Sequence, residues 1–270
     1  MRSILIALVT VCASMSTVSA QTGRPSRIAT VEDLAGVKTE VSELRASFDG
    51  REKFPGAYNC LSLTTPDYEL AIPVDRLVSI TTSGNVASII VDWRGQRLTV
   101  SGILKGSLTG TSDFGDFALD AAKIKQLIFK SSPPRQSDTA IRSAQEGTVF
   151  LAAGRQIQLA GIQRHDRYSD YSPTAGFRPG AVVYMRHYDD FRFIRGESLA
   201  TVQFTDLLRL EFEPEGSVTV NFKNGNRATG KLSDSNDAGV DGWTGEIGSG
   251  LVFVSQESVR AIAFGNTAAK

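Results

Sequence analysis

The chain writes one pattern twice, and a pattern written twice must be folded twice. Ile72-Pro73-Val74-Asp75-Arg76-Leu77-Val78-Ser79-Ile80 lines up with Val202-Gln203-Phe204-Thr205-Asp206-Leu207-Leu208-Arg209-Leu210, apolar on apolar at four places. Downstream, Ile89 to Arg97 answers Val218 to Arg227, and Gly102 answers Gly230. Each copy then closes on a Gly-led run. Gly115 to Leu119, followed by Ile124, Leu127 and Phe129, stands against Gly250 to Val254, followed by Val259, Ile262 and Phe264. Four matched segments in one order argue for an internal duplication.

Inside each copy the hydrophobic period is two. Val218, Val220 and Phe222 alternate with Thr219, Asn221 and Lys223, as a half-buried strand requires. Lys223-Asn224-Gly225-Asn226 holds an Asn-Gly pair suited to positive φ in a two-residue hairpin, and Trp93-Arg94-Gly95-Gln96 reads as a similar turn. Further strands are expected at Cys60 to Thr64, Glu69 to Ile72, Leu98 to Leu104, Ala181 to His187 and Phe191 to Ile194. A hairpin is expected from Thr148 to Leu151 into Gln156 to Ala160, and short helical turns at Asp75-Arg76-Leu77 and Ala121-Ala122-Lys123. The succession of strand, Gly turn, strand ending in Gly and terminal strand, over Val218 to Leu232 and Leu251 to Phe264, is similar to small SH3-like or Sm-like barrels. That resemblance implies an architecture only, and no functional residue transfers from it.

Ahead of the first copy, Val31, Leu34, Val37, Val41, Leu44 and Phe48 recur at steps of three and four, with Thr30 as an N-cap. This predicts an amphipathic helix over 28–50, docked on its own β domain in preference to forming a coiled coil. A β reading of Val37 to Leu44 stands as the alternative. The expected fold is therefore all-β: two related small antiparallel β modules, each a partly open barrel or sandwich, with one short N-terminal helix. The modules span 51–130 and 148–266, separated by a linker at 131–147 where Pro133-Pro134 can continue neither helix nor ladder.

Residues 1–20 read as a signal peptide. Arg2 precedes the apolar run Ile4 to Val11, and Val18-Ser19-Ala20 offers a small-residue cleavage site before Gln21. The run is about half the ~20 residues a membrane helix needs, so no integral span is expected once it is removed. Localisation is expected to be periplasmic or secreted. Beyond this segment the single cysteine is Cys60, so no internal disulfide can form, and its alternation with apolar neighbours predicts a buried small hydrophobe.

Charge balance excludes one class of partner. Lys and Arg number 29 against 29 Asp and Glu, which removes the electrostatic drive that nucleic-acid binding needs.

The chemistry-bearing residues gather in 163–193. His165, Asp166, Tyr168, Tyr171, Arg186, His187, Tyr188, Asp189, Asp190 and Arg192 form the candidate binding surface, because aromatic faces beside planar donors and carboxylates suit protein or polymer recognition. A metal held by the two histidines with Asp166, Asp189 or Asp190 is the minor alternative; no catalytic residue, metal or cofactor is assigned. Gly196-Glu197-Ser198-Leu199-Ala200 approximates a hydrolase elbow but lacks its strand-to-helix context, so a turn is expected. Asp234 to Gly242 is rich in oxygen ligands but fails the EF-hand pattern at Ala238 and Gly245, and Asx-rich turns explain it. The functional expectation is an exported, non-enzymatic binding or scaffold protein of the bacterial envelope, using 163–193 or the groove between modules. An envelope-polymer hydrolase using His165 or His187 with an Asp partner, and a structural subunit assembling through its N-terminal helix or strand edges as a homo-oligomer, are the alternatives.

Overall fold

The structure is a computed structural model that describes residues 27–50, 53–54, 57–133, 145–169, 183–232 and 240–265; for residues 167–169, 183–187 and 240 it describes the backbone alone. The signal segment, the core of the expected linker, Tyr171 and most of the Asp234 to Gly242 stretch lie outside these residues.

Among the described residues, twenty-one strands build one antiparallel sheet that does not close on itself. Ten come from the first half: β1 Ala29–Asp33, β2 Lys38–Ser47, β3 Cys60–Thr64, β4 Glu69–Pro73, β5 Leu77–Ser83, β6 Val86–Trp93, β7 Gln96–Lys105, β8 Ser107–Ser112, β9 Gly115–Asp120 and β10 Ile124–Phe129. Eleven follow: β11 Gly147–Leu151, β12 Gln156–Ser169, β13 Val183–Tyr188, β14 Asp190–Arg195, β15 Ser198–Gln203, β16 Leu207–Phe212, β17 Ser217–Phe222, β18 Arg227–Lys231, β19 Val240–Ile247, β20 Gly250–Ser255 and β21 Val259–Phe264. Short 3-10 turns at Val74–Arg76, Ala121–Lys123, Phe204–Asp206 and Gln256–Ser258 precede β5, β10, β16 and β21. No described helix is long and apolar enough to cross a membrane.

Pairing runs β9–β8–β2–β1–β10–β5–β6–β7–β3–β4 in the first half. It runs β20–β19–β12–β11–β21–β16–β17–β18–β14–β15 in the second, with β13 added beside β12. The halves meet where β4 pairs with β20, Ala71 opposite Leu251 and Glu69 opposite Phe253. A Cβ on Gly250 would lie 2.2 Å from the Ala71 carbonyl, so only glycine lets the strands approach at the start of this joint.

The N-terminal helix is not formed. Residues 29–47 make the hairpin of β1 and β2, closed by Asp33, whose backbone N–H and carboxylate meet the Val37 carbonyl and N–H. The helical spacing had a β origin. At Glu43 the backbone turns to φ 52° and the β2–β8 register shifts, so Val41 and Leu44, three residues apart, both reach the core. Leu34 and Val37, which the helix would have buried, are about 60% exposed, at 60% and 59%.

The two hairpin turns also divide differently from expectation. Positive φ at both central residues occurs at Arg94 and Gly95, whereas at Asn224-Gly225 only Gly225 takes it. There Gly225 N–H bonds the Phe222 carbonyl and Phe222 N–H bonds Asn226, as in a longer turn ending on a Gly.

One core of buried side chains runs through both halves. It is aliphatic in the first, where Leu61, Leu63, Ile72, Leu77, Ile80 and Leu108 are fully buried, and aromatic in the second, where Phe191, Phe204 and Trp243 are. Each such side chain contributes roughly 1.5–3 kcal/mol by leaving water. Cys60 is buried with Phe48, Phe54, Ala57, Ala71 and Phe253 in a smaller cluster beside the joint.

Candidate functional site

Strand alternation sorts the 163–193 candidates before any contact is considered. β12 pairs with β13 so that Arg164 faces Tyr188, His165 faces His187 and Asp166 faces Arg186, with Tyr168 opposite Tyr184. Arg164 and Asp166 therefore share one face, and His165 and His187 share the other. The backbone brings the two histidines together, but on the side away from Asp166. Among the described residues no cluster of three metal-ligating side chains exists.

The Arg164 face turns inward. Arg164 is fully buried, with Trp243 beside it across the β12–β19 ladder. Its Nε donates to Asp166 Oδ1 at 2.8 Å and its Nη2 to Oδ2 at 2.6 Å, a bidentate pair, while Nη1 lies 3.2 Å from Asp190 Oδ1. The Tyr188 ring lies 4.7 Å from the guanidinium carbon. Arg192 lies 3.6 Å from Asp190 and 5.2 Å from the same ring, which makes five residues one network. Burial pushes the Asp166 carboxyl above its ordinary range, opposed by the charge and hydrogen bonds of Arg164.

On the other face His165 is also enclosed. His165 is fully buried and stands edge-on to Phe253 with centroids 5.2 Å apart. Gly242, opposite His165, makes room for that ring, since a Cβ there would meet Phe253 at 2.7 Å. Asp189 accepts from Gln163 Nε2 at 3.1 Å. Where its side chains are described, the expected recognition surface is thus an ion-pair network whose Arg164 and Asp166 are buried and whose Tyr188, Asp190 and Arg192 are half-buried, with a packed His165 on the other face and Asp189 exposed. Ser198 of the hydrolase-like sequence begins β15 after the Gly196 turn.

An open, polar cleft lies elsewhere, one of several concavities on the molecule. A cleft of about 410 Å³ forms where the β6–β7 hairpin meets β11, β12 and the β19–β20 turn, and its lining includes Trp93, Arg94, Glu146, Gln158 and Glu246. Arg76 braces two of its lining residues, Glu246 and Trp93, from behind. Its Nη2 bonds Glu246 Oε1 at 2.5 Å, its Nη1 reaches the Ile247 carbonyl at 3.5 Å, and its guanidinium lies 4.0 Å over the Trp93 ring. Arg94 approaches the same ring at 5.0 Å. Gly248 lies against this indole, for a Cβ there would meet Trp93 at 2.9 Å and Leu98 at 2.7 Å. None of these residues belonged to the sequence-derived set, and a Trp-Arg pair at a hairpin tip was the one local signal.

Compared with known proteins, the chain matches no family model, no curated sequence and no solved structure.

Proposed function

We propose that the chain is an exported, non-enzymatic binding or scaffold protein of the bacterial envelope, made of two duplicated β modules that hold a protein segment or envelope polymer in the cleft between them. Export rests on residues 1–20, whose Arg2, apolar run and Val18-Ser19-Ala20 suit a cleaved signal, and places the protein in the periplasm or outside the cell.

Duplication is supported by the pairing order, which reads the same in both halves once β13 is set aside as an insertion. β1 to β10 then correspond to β11, β12 and β14 to β21. The bulge in β2 between Ser42 and Arg45 has its counterpart in β12 between Ala160 and Gln163, each with a positive-φ residue, Glu43 and Gly161. Gly102 lies against the Thr64 carbonyl and Gly230 against the Ile194 carbonyl, at the same place in each ladder. The strand registers correct one sequence match. Ile80 pairs with Ile89 and Leu210 with Val220, so Ile89 corresponds to Val220, two residues from the sequence alignment.

The observation that carries the binding reading is the cleft itself, polar, concave and lined from both modules. The buried His165 lends no support to a hydrolase. Titrating soluble envelope-polymer fragments and extended peptides into the exported chain, and into Arg94→Ala and Gln158→Ala variants, tests the reading. Binding weakened about tenfold or more in the variants is expected; equal binding by all three, or none by the wild type, overturns it.

A further inference from the structure

The joint inside the chain uses two different strand edges, and among the described residues one of each is left unused. β4 of the first module meets β20 of the second. Under the correspondence above, β20 is the second module's β9 and β15 is its β4. Among the described residues β9 pairs only with β8, and β15 only with β14. The molecule thus ends in the two halves of a joint it already contains.

We propose that copies of this chain associate head to tail, β9 of one pairing with β15 of the next in the register of β20 on β4. That inference rests on the module correspondence. Leu251–Ala71, Val252–Leu70 and Phe253–Glu69 then translate into Asp116–Thr201, Phe117–Ala200 and Ala118–Leu199 across two copies. Such a contact is heterologous, so it propagates into open fibres or large rings instead of stopping at a dimer.

Three observations favour this occupant over a foreign strand. The tip before β20 is enclosed at the internal joint, with Ser249 2% exposed, whereas the matching tip residue before β9, Phe114, is 95% exposed. Leu199 on β15 is 55% exposed at the place where Glu69 receives Phe253. The starting glycine of β9, Gly115, has open space around its missing Cβ, where Gly250 has the Ala71 carbonyl. A large apolar residue at one end and another at the opposite end are what a self-complementary pair of edges needs, and an unblunted edge is an invitation to pair.

The test is cross-linking with sedimentation of the full chain purified after export. Wild-type mass rises with concentration in steps of one chain, and Phe114→Asp weakens this about tenfold. Mixing Ala118→Cys with Leu199→Cys gives a mixed disulfide dimer, since partners in such a ladder have Cα atoms about 5.5 Å apart. The double variant gives a ladder of higher oligomers. A wild type that stays monomeric at every concentration overturns the assembly and leaves the module correspondence standing. Cross-linking with Gln203→Cys in place of Leu199→Cys overturns both. A monomer that instead takes up an unrelated extended peptide at β15 also overturns the proposal.

Discussion

Arg164 and Asp166 lie two residues apart on one strand and grip each other through two hydrogen bonds, of 2.8 and 2.6 Å, inside the protein. Their i, i+2 spacing puts both on the core face of β12. A buried pair of this kind adds little net stability, but losing one partner strands the other.

Asp166→Ala is therefore expected to destabilise the fold by about 3 kcal/mol, because it strips Arg164 of both these hydrogen-bond acceptors and leaves it, among the described residues, with Asp190 as its charged neighbour. Replacing Arg164 by Met together with Asp166 by Leu is expected to cost less than Asp166→Ala alone. Denaturant unfolding of the three chains measures the difference, and a double variant worse than the single would refute the account.

The same carboxyl gives a pH dependence. Because burial raises its pKa, the folded chain holds that proton more tightly than the unfolded chain does. Its contribution to stability is present in acid and is lost as pH rises through the raised value. The stability gap between wild type and Asp166→Ala should narrow as pH rises across that window; a gap that widens would mean that Arg164 outweighs burial.

Gly102→Ala and Gly230→Ala should cost roughly the same, about 1–3 kcal/mol each. Their Cβ atoms would come within 2.5 Å of the Thr64 carbonyl and 2.3 Å of the Ile194 carbonyl. Thermal unfolding of the two variants compares them, and a harmless substitution at either place would refute the close approach described there.

Arg76→Met should destabilise by about 1–2 kcal/mol through loss of the Glu246 pair and the Trp93 stacking. Glu246→Gln should cost less, because the stacking and the Ile247 contact survive. Trp93 fluorescence should respond to the first variant more than to the second.

Most strands were legible because the alternation of Val218, Val220 and Phe222, or of Leu61 and Leu63, is local and period two. The N-terminal hairpin was not, since the bulge at Glu43 imitates a helical step. The burial of Arg164, His165 and Asp166 was not legible for a different reason. A run of Arg, Asp and Tyr reads as surface, since such residues are rarely fully buried unless paired, and the pairing of Arg164 with Asp166 and Asp190 depends on which face of β12 meets Trp243. The cleft at Trp93 arises only when β20 lies beside β4, partners about 180 residues apart in sequence, beyond the reach of any local pattern.

β12 runs from Gln156 to Ser169, pairing with β11 along its first part and with β13 along its last. A single backbone is thereby stitched to two antiparallel partners in succession. Neither hairpin can peel away without tugging on the ladder of the other, so amide protons at Leu159 and at Arg164 should be released to solvent in one shared opening event, at the pace of the slower of the two.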